Sequence, residues 1–206
     1  MKKSERIKFT ELLEMLNKNL KDELTTYIQN RSLKYFFLNY KHEKFCKILM
    51  SLITEELMTP HENLFKEDDQ SSKIYFINKG SIIIYDEITS LIYKKLEENT
   101  NFGEIGFFSQ KKRLTSADSC SFVNLSYINF ESFQEAMRQF KEKDYKIYQT
   151  FKYNLREIRT KFRRRQYEGL YINCYMCDKT DHLAQFCETL LDKENCFKCE
   201  FKGNQF

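Results

Sequence analysis

"KIYFINKGSIIIYDE", residues 73–87, decides the fold. Two short apolar runs rich in β-branched and aromatic residues flank Lys79-Gly80-Ser81, which predicts strand, turn, strand. The same texture extends from 62 to 130, with "NLF" at 63–65, "SLIYKKL" at 90–96 and "SFVNLSYI" at 121–128. Turn-forming residues such as Asp68-Asp69-Gln70-Ser71-Ser72 punctuate these runs. An antiparallel β unit of several short strands follows, a small barrel or jelly roll.

Helical spacing appears on both sides of it. Upstream, Ile7, Phe9, Leu12, Leu13, Leu16, Leu20 and Leu24 mark a helix over 5–24. His42 through Phe45, Ile48, Leu49, Leu52 and Ile53 predict a second over about 42–57, closed by Pro60, the only proline. Downstream, helices are expected over 131–140 and 142–162. In the latter, Tyr148, Phe151, Leu155, Ile158 and Phe162 form a narrow apolar seam, which a helix packed on the barrel or on another subunit explains. The expected class is therefore α+β: a barrel flanked by N- and C-terminal helices, with a small cysteine-bearing tail.

The bulk numbers agree. The chain of 206 residues suits one domain with appendages, and 41% hydrophobic with 16% aromatic residues argues for a packed core. A net charge of +4 gives no global polyanion-binding character. Basic residues gather at 141–165, ten against three acidic, which a solvated helix face accounts for. No apolar run approaches the ~20 residues of a membrane span, and "MKKSERIKF" lacks a signal-peptide core. The chain is expected to be soluble and to face the cytosol. No nucleophile–base set, hydrolytic metal motif or nucleotide-triphosphate loop is present, so no enzymatic activity is expected.

A second stretch carries the chemistry. In "NFGEIGFFSQKKRLTSADS", residues 101–119, two of the chain's five glycines surround Glu104, and Arg113 follows nine residues later. Gly103 and Gly106 allow close backbone approach to a ligand. A carboxylate acceptor and a bidentate anion clamp together suit a small molecule carrying hydroxyls and a phosphate.

Helix, β unit, two helices, "FGEIGFF" and "RLTSADS" together resemble the cyclic nucleotide-binding domain. The likeness is greatest to that of hyperpolarisation-activated, cyclic-nucleotide-gated and EAG-type potassium channels, over about residues 10–162. "LNKNLKDELTTYIQNRSLKYFFLNYKHEKFCKIL" (16–49) looks like the end of a channel C-linker. The resemblance implies a C-linker-like segment at 1–35, the nucleotide-binding domain at 36–162, and a basic linker with tail at 163–206. It further implies cAMP or cGMP as ligand, with Glu104 accepting from the ribose 2′-hydroxyl and backbone near Gly103 and Gly106 facing the sugar-phosphate. Arg113 would pair with the exocyclic phosphate oxygens, the backbone of Leu114 would add a donor, and Ile158 would close a lid over the purine. Partners would be a channel pore subunit or further copies of the chain, as in a tetramer, on the cytosolic side of a membrane. Leu114 stands where a small hydroxyl residue is usual, and His61 and Asp68 stand where turn glycines are usual. A degenerate, ligand-free domain acting as an interaction module is the alternative.

The tail reads "CYMCDKTDHLAQFC", that is Cys174-x2-Cys177-x4-His182-x4-Cys187, the ligand spacing of a CCHC zinc knuckle. Asp178 and Asp181 replace the usual glycines. Cys196-x2-Cys199 offers a competing set with Cys174 and Cys177. A knuckle can bind nucleic acid through Tyr175 and Arg163–Arg165, but a zinc clip that ends the domain or meets a partner is the expected role. Cys46 and Cys120 are expected in the core.

Overall fold

The structure, a computed structural model, describes residues 48, 52–170 and 172–189. The helix expected over 5–24, Cys46 and the Cys196/Cys199 pair lie outside these residues.

Eight strands form two four-stranded antiparallel sheets that face each other as a jelly roll. They are β1 (Thr54–Met58), β2 (Asn63–Phe65), β3 (Lys73–Lys79), β4 (Ile82–Tyr85), β5 (Ile92–Leu96), β6 (Asn101–Phe102), β7 (Ser116–Ser119) and β8 (Val123–Asn129). The first sheet runs β1-β8-β3-β6 and the second β2-β7-β4-β5. The deciding stretch supplies a strand to each. In β3, Tyr75 and Ile77 point into the roll, while Ile74 points out of it towards the helices. In β4, Ile82 and Ile84 point inward, opposite Leu96 of β5 and Ala117 of β7 respectively. Strict alternation puts one apolar set on each face. Gly80 makes the turn between them at φ 91°, where an added Cβ would run into the carbonyl oxygen of Phe122.

One expectation fails here. Residues 54–57, expected at the end of a helix over about 42–57, belong with Met58 to strand β1, paired with β8 from Thr54↔Tyr127 to Met58↔Val123. Glu, Leu and Met favour a helix locally, but the open edge of β8 offers a full ladder of hydrogen bonds and a buried place for Met58. The expected turn glycines are replaced as the sequence suggested: His61 and Asp68 take φ values of 63° and 68°.

Three helices cover the first sheet: α1 (Glu104–Ser109), α2 (Phe130–Lys143) and α3 (Tyr145–Arg163). The seam of α3 is buried at Phe151, Ile158 and Phe162 and half-buried at Tyr148 and Leu155. It packs with Phe107 and Phe108 of α1 and Phe133 of α2. Beyond α3 the chain folds back. Tyr167, Leu170, Ile172 and Leu183 join this helical core, while Cys174, Ala184 and Cys187 join the core of the roll. The tail is thus part of the domain's packing.

Candidate functional site

Helix α1 begins at Gly103, which sits at φ 82° and ψ 5°. A Cβ there would lie 2.6 Å from Nη1 of Arg113. Gly106, one turn on, lies so close to Ser71 that a Cβ would collide with its side chain. Both glycines are therefore dictated by neighbours of the site. Gly106→Ala is expected to destabilise the fold by about 1–3 kcal/mol, the usual scale of overpacking. Ser71→Gly in the same chain should recover part of that loss in a denaturant titration.

Arg113 is 5% exposed. Its Nη1 donates to the carbonyl of Gly103 at 3.0 Å and its Nη2 to that of Lys73 at 2.7 Å. The guanidinium lies over the ring of Phe65, 4.1 Å from its centroid, and Tyr75 and Phe102 complete an aromatic floor. Its backbone is held by the loop before β3: Arg113 N–H donates to Asp69 and Asp68 N–H to Arg113. Nε has no hydrogen-bond partner, and among the described residues Arg113 forms no ion pair. Burial pulls its pKa down, opposed by the charges of Tyr75 and Glu104.

The Glu104 carboxyl is enclosed, and Oε2 has no partner. Burial pushes its pKa up, against a backbone hydrogen bond and the charge of Arg113. The folded protein thus holds this proton more tightly than the unfolded chain. Its contribution to stability is full below the ordinary carboxylate range and is lost as pH rises through the raised pKa. Glu104→Gln is expected to raise the melting temperature of ligand-free protein at neutral pH and to flatten its fall as pH rises above the ordinary carboxylate range; an unchanged slope would contradict this.

Gly103, Gly106, Arg113 and Leu114 line one cleft of about 570 Å³, a volume that includes its open mouth, with Thr115 beside them. Glu104 is not among the residues that line it, and neither is Ile158. That side chain is 2% exposed in the core between α3 and the phenylalanines of α1 and α2, because the α3 seam is spent on packing. The position expected over the purine is instead met by the tail, which sequence reasoning missed: Asn173, Tyr175, Leu183, Ala184 and Gln185 form the other wall. The hydroxyl end of Tyr175 is enclosed, and its pKa is pushed well up by burial and by the charge of Glu104, with Arg113 opposing. An aromatic after the first cysteine was the only signal for this placement. Helix α3 still touches the site, through Arg159 Nε donating to the carbonyl of Phe108 at 3.2 Å.

The tail's shape comes from its cysteine turn. Asp178 N–H donates to the Cys174 carbonyl, Cys174 N–H to that of Lys179, and Asp178 itself takes φ 60°. Lys94 of β5 pins this turn through Asp178 at 2.6 Å. The ligand atoms of Cys174, Cys177, His182 and Cys187 lie within 4.8 Å of one another. Cys177 Sγ and His182 Nε2 are 3.3 Å apart, and Nδ1 is held by Asp181 at 2.7 Å. Three thiols and an imidazole whose far nitrogen is fixed by a carboxylate fit a tetrahedral zinc ion. Cys120, expected in the core, is half-buried.

Residues 55–140 match the family model of the cyclic nucleotide-binding domain. Among solved structures, the chain is similar to the regulatory domain of Toxoplasma gondii PKA in a co-crystal with cAMP. The two are 17% identical with a TM-score of 0.49, over 59% of this chain and 46% of that one, so this chain spans less than half of that relative. No curated protein matches the sequence.

Proposed function

We propose that the chain, whose residues 55–140 match the family model of the cyclic nucleotide-binding domain, is a regulatory module that takes cAMP or cGMP in the cleft that Arg113 lines. One observation carries the reading: a buried guanidinium with a free Nε and no carboxylate partner stands beside a buried carboxylate with a free oxygen. Both groups carry a desolvation penalty that a singly charged cyclic phosphate and a ribose hydroxyl would offset. Arg113 would pair with the phosphate oxygens and Glu104 would accept from the 2′-hydroxyl. The link from α1 through Phe108 to Arg159 offers a path from ligand to the C-terminal helix.

The finer reading is a module of a cation channel, selective for potassium by resemblance, in which ligand-driven movement of α3 and a C-linker biases the gate. It rests on the resemblance of 16–49. Among the described residues no helix is long and apolar enough to cross a membrane. Zinc on Cys174, Cys177, His182 and Cys187 completes the proposal, supported by their clustering. The ion would supply a fixed tetrahedral node for the tail, and no reaction is assigned to it.

Displacement of a fluorescent cyclic nucleotide by cAMP, cGMP and 2′-deoxy-cAMP tests the ligand assignment. The two ribonucleotides are expected to compete, and the deoxy analogue at least about ten-fold less well, the scale of one lost hydrogen bond to a charged group. Equal competition by all three would remove Glu104 from the binding role.

A further inference from the structure

Of the tail residues that wall the cleft, all but Asn173 lie in the two spans between the clustered cysteine and histidine ligands. Tyr175 lies between Cys174 and Cys177, and Leu183, Ala184 and Gln185 lie between His182 and Cys187. Any ion that fixes those four side chains also fixes both spans. Tyr175 lines the cleft together with Gly103 and Arg113. Its hydroxyl end is enclosed within the electrostatic reach of Glu104 and Arg113, the two groups that would meet ribose and phosphate. The turn that carries it is further tied to the roll by Lys94 and Asp178, and Cys174 is fully buried beneath it.

We propose that the Cys174–Cys177–His182–Cys187 site is a zinc-operated gate, in which bound metal seats Tyr175 in the wall of the cleft and excludes cyclic nucleotide. The inference rests on the cleft being the nucleotide site. Coordination crosslinks the tail at four points and lowers the population of states in which Tyr175 swings out. A nucleotide must displace that ring before its phosphate reaches Arg113. Metal and nucleotide then oppose each other, and by linkage each weakens the other by the same factor. In the metal-free protein the tail keeps its packing contacts but loses its node, so displacing the ring becomes easier.

The test uses the full chain, purified under reducing conditions, loaded with zinc or stripped by a chelator, with zinc content measured in each state. Affinity for cAMP and cGMP is expected to be about ten-fold or more higher in the stripped protein, within the usual range of coupling between sites. Tyr175→Ala leaves all four ligands in place; it should retain zinc, bind nucleotide at least as tightly as stripped wild type, and lose the difference between the two states. Hydrogen exchange provides a reading without nucleotide: stripping should raise exchange at 173–187 and at 103–114 together. Equal nucleotide affinity with and without bound zinc would overturn the gate. So would exchange that rises only in the tail. If no state, including stripped Tyr175→Ala, binds nucleotide, the nucleotide assignment falls and the gate with it; exchange that still rises in both segments would then show only that metal orders the wall of the cleft.

Discussion

Arg113→Ala is expected to weaken cyclic nucleotide binding by about 1.5–3 kcal/mol, roughly ten- to a hundred-fold, the scale of a lost charge-assisted contact. The loss should be read in metal-stripped protein, where the cleft is most accessible. The same change should also lower stability, because the guanidinium satisfies the carbonyls of Gly103 and Lys73 and stacks on Phe65. Arg113→Lys separates the two effects. It keeps a charge but cannot span both carbonyls or lie flat on the ring, so it should recover only part of either loss. Full affinity in Arg113→Ala, measured by titration on protein shown to be folded, would place the phosphate elsewhere.

Removal of everything after Arg165 is expected to destabilise the β roll itself by about 3–6 kcal/mol. Tyr167, Leu170, Ile172 and Leu183 are buried in the helical core, and each is worth about 1.5–3 kcal/mol against exposure, less the entropy of ordering the tail. Cys174, Ala184 and Cys187 fill the roll beside Tyr93 and Phe102. The sequence presents the tail only as a zinc clip that ends the domain or meets a partner. A denaturant midpoint unchanged by the truncation would restore that view and separate the tail from the fold.

The contrast shows what the residues disclose locally. "KIYFINKGSIIIYDE" is legible because alternation and a turn glycine act within a few residues, and each face of the strands has its own buried set. The meeting of Arg113 with Gly103 is legible because a cation near two glycines has few other uses. The aromatic floor of Phe65, Tyr75 and Phe102 is assembled from three strands, so no local pattern announces it. The 54–57 stretch is misread because its side chains favour a helix while its backbone is claimed by β8. Ile158 is misplaced since its seam position says only that it is buried, and the neighbours that bury it come from α1 and α2. Tyr175 is the clearest case: its place in the cleft with Arg113 depends on the tail folding back over some sixty residues of chain.

Calorimetric titration of the full chain with cAMP and cGMP, stripped of metal, tests the central claim most directly. Saturable one-to-one binding of at least one of them, at least about ten-fold weaker in Arg113→Ala, is the predicted result. No heat from either ligand at millimolar concentration, with folded wild-type protein and with Tyr175→Ala alike, would contradict it.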